Sequence, residues 1–115
     1  MSKCAIYNRH SVQNHEKMNE MREEMIEYCK SLGITDCVLF EEVGSVLDKR
    51  EQFDEMMTRI QRGEFTDLIV FHPDRLYKAT YDPNKFAEIM AMLEGKVTIH
   101  SVKKKKKIDL RNKIY

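Results

Sequence analysis

The sequence lacks the features that mark membrane, secreted and metal-binding proteins. No apolar run approaches the roughly 20 residues that span a bilayer, and the first residues do not open a signal peptide. The cysteines are odd in number without CxxC spacing, and the histidines lack HExxH spacing. We therefore expect a cytoplasmic protein without a metal site, in which free and mostly buried thiols are contributed by Cys4, Cys29 and Cys37.

Several motifs of nucleotide and acyl-transfer enzymes are also absent. The sequence has no GxxxxGK[ST] run, no glycine-rich turn after its first apolar run and no G-x-S-x-G elbow. These absences exclude a P-loop nucleotide enzyme and argue against a dinucleotide site or a serine hydrolase. No cofactor is predicted.

The chain has the size of one domain. Its 115 residues are 42% hydrophobic and 34% charged, with no linker or repeat. The net charge of +1 conceals an asymmetry, because residues 103–115 carry seven lysines and arginines against one aspartate, while residues 1–102 have an excess of acids. We predict a domain at 1–102 and a basic tail at 103–115, for which an anionic partner and a merely solvated end are both open.

Apolar runs alternate with amphipathic segments along the whole domain. Strands without polar alternation separated by helices predict a parallel sheet that is covered on both faces. The expected fold is therefore a three-layer α/β/α sandwich with a mostly parallel sheet of four strands. A fifth strand at 108–115 is weakly supported. The predicted strands cover residues 4–7, 37–40, 68–71 and 97–100, and the helices lie between them.

Polar and charged residues follow each predicted strand. The functional crevice of an open α/β sheet lies beyond the carboxyl ends of its strands, so we expect these residues to meet at one edge. Guanidinium groups bind phosphate oxygens through paired, charge-assisted hydrogen bonds, and a serine among them favours attack on a phosphate diester. The residues are Arg9, His10 and Ser11; Glu41, Glu42, Ser45, Lys49 and Arg50; His72, Asp74, Arg75 and Lys78; and Ser101 with the lysine run.

Three of these segments resemble the catalytic domain of serine site-specific recombinases, the resolvases and invertases. That family begins with a strand ending in Tyr-x-Arg-x-Ser, has an acid, a small loop and an arginine after its second strand, and has Asp-Arg-Leu-x-Arg after its third. The matching residues are Tyr7, Arg9 and Ser11; Glu42, Gly44, Ser45 and Arg50; and Asp74, Arg75, Leu76 and Lys78.

The resemblance implies a fold, a mechanism and partners. The strand order would be 2-1-3-4, as in flavodoxin-like sheets. Ser11 would attack a DNA phosphodiester to form a 5′-phosphoseryl intermediate, without metal or nucleotide cofactor. Family members act as homo-oligomers, with tetramers cutting and rejoining DNA. The candidate catalytic residues are Ser11, Arg9, Arg50, Arg75, Asp74 and Lys78.

The sequence departs from the family pattern at several positions. Lys78 replaces a second arginine and keeps its charge without the planar guanidinium. The pair His72 and Pro73 replaces lysine and leucine, and Glu42 replaces the usual aspartate. Family members continue into a long helix and a DNA-binding domain, so we expect a minimal catalytic domain without one. Alternatives are a catalytically degenerate module that binds DNA or a full-length recombinase partner, and a small-ligand α/β module.

Overall fold

The computed structural model describes residues 2–10, 14–103 and 106–107, the last two by their backbone alone. Strands and helices alternate through the chain as predicted. A 3₁₀ turn, Pro73–Arg75, follows the third strand. The elements are β1 (Cys4–His10), α1 (His15–Ser31), β2 (Cys37–Val43), α2 (Glu51–Gln61), β3 (Asp67–Val70), α3 (Pro83–Leu93), β4 (Thr98–Ser101) and β5 (Lys106–Lys107).

Each helix begins where the chain supplies acceptors for its first N–H groups. The Asn14 side chain accepts from the Lys17 amide at the start of α1, and Asp82 accepts from two amides at the start of α3. Pro83 fits the first turn of α3, where its missing N–H costs nothing. The helices of the described chain are too short or too polar to cross a bilayer.

The sheet has the order β2-β1-β3-β4-β5. The first four strands are parallel, which confirms the predicted fold and the order 2-1-3-4. β5 joins antiparallel to β4, within the segment predicted as a tail. The fifth strand expected at 108–115 lies outside the described residues, and the division at residue 102 stays a prediction.

The two faces of the sheet carry separate apolar clusters. On one face, α1 packs on Cys4, Ile6 and Ile69. On the other face, α2 and α3 pack on the alternate residues of the same strands, such as Ala5 and Leu68. Each strand therefore divides its side chains between two buried layers, which explains why the strand sequences show no polar alternation.

β1 and β2 extend three residues beyond their predicted ends. They pair over seven residues, from Cys4 with Cys37 to His10 with Val43, whereas β1 pairs with β3 over only four. Arg9 and His10 are therefore strand residues and not loop residues as expected. The sequence does not predict this extension, because the added residues are mostly polar. The backbone hydrogen bonds between β1 and β2 nevertheless continue beyond the apolar run.

The expectation of three free thiols is wrong for two of them. Cys29 at the end of α1 and Cys37 at the start of β2 have their sulfur atoms in bonding contact, while Cys4 is a free, buried thiol. The connection from α1 to β2 returns the chain over only eight positions, which brings the two side chains together. Burial raises the pKa of the Cys4 thiol to about 12, and the nearby Asp67 carboxylate acts in the same direction.

Candidate active site

The carboxyl ends of β1, β2 and β3 form one edge of the sheet. β1 continues beyond the point where β3 stops, so on the side away from β2 its last residues face the 3₁₀ turn Pro73–Arg75 instead of a neighbouring strand. The start of α2 lies beside the same end of β1, since Arg50 reaches the hydroxyl of Tyr7. Three connections of the fold thus meet at the end of β1.

Arg9 is the most buried charged side chain of this edge, with 2% of its surface exposed. Its Nε donates to the carbonyl of Arg75 at 3.1 Å, and its Nη1 donates to the carbonyl of Gly44 at 2.8 Å. Burial lowers the pKa of Arg9, and the neighbouring guanidinium groups of Arg75 and Arg50 also lower it. The side chain therefore ties the loop after β2 to the turn after β3.

Gly44 has a backbone conformation that suits this role. Its φ is +148°, a value that residues with a side chain rarely adopt. A Cβ at this position would lie 3.2 Å from Oδ2 of Asp48. The glycine therefore lets the loop turn and present its carbonyl to Arg9.

Three arginines are joined through two backbone carbonyls. The carbonyl of Arg75 accepts from Arg9 Nε at 3.1 Å and from Arg50 Nη1 at 3.4 Å. Arg75 in turn places its Nη1 3.4 Å from the carbonyl of Arg9. Arg50 is itself buried and lies over the Phe53 ring at 3.8 Å, which fixes its plane by a cation–π contact. The fold thus brings together the three arginines that the sequence predicted.

The arginine cluster (Arg9, Arg50 and Arg75) is held mainly by neutral backbone carbonyls. Within the described chain, Arg9 and Arg50 have no carboxylate within ion-pair distance, and Arg75 Nε lies 3.9 Å from Asp74 Oδ1. Arg9 Nη2 and Arg75 Nε are buried without a hydrogen-bond partner among the described residues. Buried donors and uncompensated positive charge favour an anion at this position. A phosphate group matches both requirements.

Asp74 lies beside the cluster and not within it. Its Oδ1 is 3.1 Å from Nδ1 of His72, and the same nitrogen accepts the backbone N–H of Asp74 at 3.2 Å. A nitrogen that accepts this N–H carries no proton of its own, so the ring does not donate to the carboxylate in this arrangement. About half of the Asp74 side chain is exposed, which leaves it accessible to the crevice.

Lys78 and Ser11 are the two remaining candidate catalytic residues. The ammonium of Lys78 lies 5.3 Å from the Tyr81 ring centroid, and among the described residues it forms no hydrogen bond or ion pair. It lines a cavity of about 440 Å³ together with Asp74 and His72. Ser11 lies outside the described residues, so its assignment as nucleophile stays a prediction.

A second layer of contacts supports the arginines, and the sequence did not reveal it. The Tyr7 hydroxyl donates to Oε2 of Glu42, and the two carboxylate oxygens accept the amides of Gln52 and Phe53. Glu42 thus caps α2, whose N-cap residue Arg50 makes no side-chain cap. Burial raises the pKa of Tyr7, as does its bond to Glu42, so the phenol stays protonated.

The face of the sheet that α1 covers carries another polar group beside the edge. Glu41 accepts a paired bond from Arg22 at 2.7 Å and a bond from Asn8. Burial would raise the pKa of Glu41, but these bonds from Arg22 and Asn8 outweigh it and the pKa falls. His10 is buried, and burial together with Arg75 and Arg9 lowers its pKa, so it is neutral near pH 7.

Comparison with known proteins identifies the family. The family model described as the N-terminal domain of resolvases matches residues 4–114, which is nearly the whole chain. The chain therefore belongs to this family, as the resemblance of its motifs predicted. A search of curated proteins finds no match.

Solved structures with the same fold are serine recombinase domains. The C-terminal catalytic domain of ISC1926 TnpA, an IS607-like serine recombinase, has 17% identity and a TM-score of 0.75, with 87% of this chain and 67% of that chain covered. The N-terminal catalytic domain of TP901-1 integrase has 18% identity and a TM-score of 0.73, covering 92% and 81%. A resolvase family site-specific recombinase from Streptococcus pneumoniae has 17% identity and a TM-score of 0.72, covering 93% and 76%. This protein thus has the serine recombinase catalytic-domain fold.

Proposed function

We propose that the chain is a DNA-cleaving catalytic domain in which Ser11 is the nucleophile and the arginine cluster binds the scissile phosphate. The observation that carries the proposal is the meeting of three arginines from three separate segments: Arg9 and Arg50 donate to the carbonyl of Arg75, and Arg75 donates to the carbonyl of Arg9. Family membership supports the same reaction class. The arginine cluster and the motif that places Ser11 two residues after Arg9 together support cleavage of a phosphodiester.

The reaction is an in-line displacement at phosphorus. The Ser11 oxygen forms a bond to phosphorus as the bond to the 3′ oxygen of the DNA breaks. The serine proton is released, and the 3′ oxygen takes up a proton to leave as a hydroxyl. The product is a 5′-phosphoseryl linkage, whose reversal rejoins the strand.

The arginine cluster would supply the electrostatic part of catalysis. Negative charge spreads over the equatorial oxygens in the transition state, and donors that are already in position stabilise it without reorganisation. Arg9 Nη2 and Arg75 Nε are the free donors of the described cluster. Asp74 would orient Arg75, and Lys78 would contact a flanking phosphate, since its ammonium lies apart from the arginines.

The partner we infer is DNA, met by a homo-oligomer, a dimer or a tetramer, in the cytoplasm. The lysine run at 103–107 would add contacts to the phosphate backbone, and Lys103 is exposed. Each neutralised phosphate would steepen the dependence of log K on log salt by about 0.9. A full-length recombinase would be a further partner if the active assembly is mixed.

A nicked DNA substrate tests the nucleophile. The full chain is incubated with a pool of nicked duplexes of mixed sequence, in which cleavage next to the nick releases a short fragment and prevents rejoining. We expect a covalent adduct in denaturing gels, with the DNA joined through its 5′ phosphate to Ser11 by mass spectrometry. Ser11→Ala should abolish the adduct. Arg75→Met should reduce it by about 100-fold or more, the loss that follows removal of one transition-state donor.

Two comparisons make the outcome decisive. Ser31→Ala removes an exposed serine at the end of α1 and should form the adduct at the wild-type rate. A folded protein without adduct, combined with salt-sensitive DNA binding that Ser11→Ala leaves unchanged, would contradict the proposal in favour of a degenerate module. A bound metabolite with no effect of the tail lysines would instead favour a small-ligand module.

A further inference from the structure

We propose that the reduced thiols of Cys4, Cys29 and Cys37 form a binding site for a thiophilic d¹⁰ metal ion such as Zn²⁺. These residues come from β1, α1 and β2, and their three sulfur atoms lie within 4.8 Å of one another. The site is at the amino end of β1, at the opposite end of that strand from the arginine cluster. It is independent of the proposed DNA chemistry.

The backbone spacing of Cys29 and Cys37 fits an ion between their sulfurs better than it fits a disulfide. Three sulfurs bound to one ion at about 2.3 Å lie about 4 Å apart. The three sulfurs lie within 4.8 Å of one another, and reduction frees the Cys29 and Cys37 sulfurs, which are in bonding contact, to separate to that spacing. The Cα atoms of Cys29 and Cys37 are 7.7 Å apart, whereas disulfide-bonded residues ordinarily lie about 4.4–6.8 Å apart. An ion between the two sulfurs makes the link from Cys29 to Cys37 longer than a disulfide, which matches the long Cα–Cα distance of these residues.

The surroundings favour a bound cation. Cys4 and Cys29 are fully buried, and Cys37 is partly exposed on the edge strand, which leaves a route of entry. Asp67 lies in register with Cys4 on the neighbouring strand, and its carboxylate is held by His100 at 2.8 Å. A divalent cation bound here would offset the negative charge of the Asp67 carboxylate on the neighbouring strand. The fourth position is left to water.

The spacing of the three cysteines along the chain does not predict this site. Familiar zinc motifs take pairs of ligands from one turn, whereas here each ligand comes from a different element. The sheet register places Cys4 opposite Cys37, and the last turn of α1 brings Cys29 over them. The three positions are 25 and 8 residues apart along the chain, so only the fold joins them.

Cadmium titration tests the proposal. The full chain is reduced with a phosphine under nitrogen, the reductant is removed, and Cd²⁺ is added while the ultraviolet band of sulfur-to-cadmium charge transfer is recorded. We expect saturation at one equivalent, with the intensity of three Cd–S bonds. Zn²⁺ should compete and raise Tm. Cys37→Ser should lose a third of the intensity and weaken binding by at least about 100-fold, because removing a ligand costs more than removing a group that only hydrogen-bonds to a ligand.

The controls distinguish binding at a specific site from nonspecific metal binding. Asp36→Asn removes an exposed carboxylate next to Cys37 and should leave the titration unchanged. Cys4→Ser should also remove a third of the band. If the Cys4→Ser protein does not fold, the band intensities of the wild-type protein and of Cys37→Ser test the proposal. The absence of a band at one equivalent, or a band of two Cd–S bonds that Cys4→Ser leaves intact, would overturn the proposal.

Discussion

At its amino end β1 contributes Cys4 to a layer of apolar side chains and sulfur atoms, whereas at its carboxyl end it contributes Arg9 to a cluster of guanidinium groups. Both side chains are buried. The amino end places Cys4 among apolar side chains and close to the two other cysteine sulfurs. The carboxyl end buries positive charge against carbonyl oxygens and leaves donors unpaired within the described chain. The difference teaches that the amino end is built from apolar packing and thiols, while the carboxyl end is arranged for an anion from outside.

The largest effect is expected from a cavity in the apolar end. Ile69 is fully buried under α1, and Ile69→Ala should lower the free energy of unfolding by about 2–4 kcal/mol, because buried methyl groups are lost and the cavity only partly closes. Urea denaturation measures this loss. The loss should be the same in phosphate and in chloride, and a dependence on the anion would contradict the division between the two ends.

Phosphate should stabilise the protein through the arginine end. At a free concentration of 100 times its Kd, a ligand that binds only the folded state adds about 2.7 kcal/mol. We expect inorganic phosphate to raise Tm over chloride of equal ionic strength, and Arg75→Met to remove this gain while keeping the backbone carbonyl. Arg59→Met, which breaks a pair with Glu64 elsewhere, is the matched control and should retain the gain. An equal gain in Arg75→Met would show that the phosphate binds elsewhere.

The loop that holds Arg9 should be sensitive to a single methyl group. Gly44→Ala meets both a φ of +148° and the Asp48 carboxylate, so a loss of about 2 kcal/mol is expected from strain. Gly33→Ala, at a φ of +78° with open space around it, should lose about 1 kcal/mol. Thermal unfolding compares the two, and a larger loss at Gly33 would mean that the contact with Asp48 is unimportant.

The smallest effect concerns pH. The pKa of His10 is lowered in the folded protein, so the unfolded chain binds more protons as pH falls below about 6.5, and stability decreases there. His10→Asn should flatten the dependence between about pH 7 and 5, by less than about 1 kcal/mol. Guanidinium unfolding across this range measures it. An unchanged slope would assign the acid sensitivity to other groups.

The position of Arg9, Arg50 and Arg75 at one edge of the sheet could be predicted, but the contacts that hold them there could not. Strand order alone placed Arg9, Arg50 and Arg75 at one edge, because the carboxyl ends of parallel strands lie together. The structure adds that the carbonyls of Gly44 and Arg75 hold Arg9, and that Glu42 caps α2. Such partners are separated by 10 to 66 residues, so no local pattern reports them.

The sequence by itself determined the alternation of strands and helices, the apolar face of each helix and which polar residues follow the strands, because these depend on spacing over a few neighbouring positions. Only the tertiary structure decided how far β1 and β2 extend, which carbonyls hold the arginines and that Cys4, Cys29 and Cys37 converge. These features depend on sheet register and on the packing of α1, where residues far apart in the chain meet. At both ends of β1, the local sequence therefore determines which side chains are present, and long-range packing determines which residues they contact.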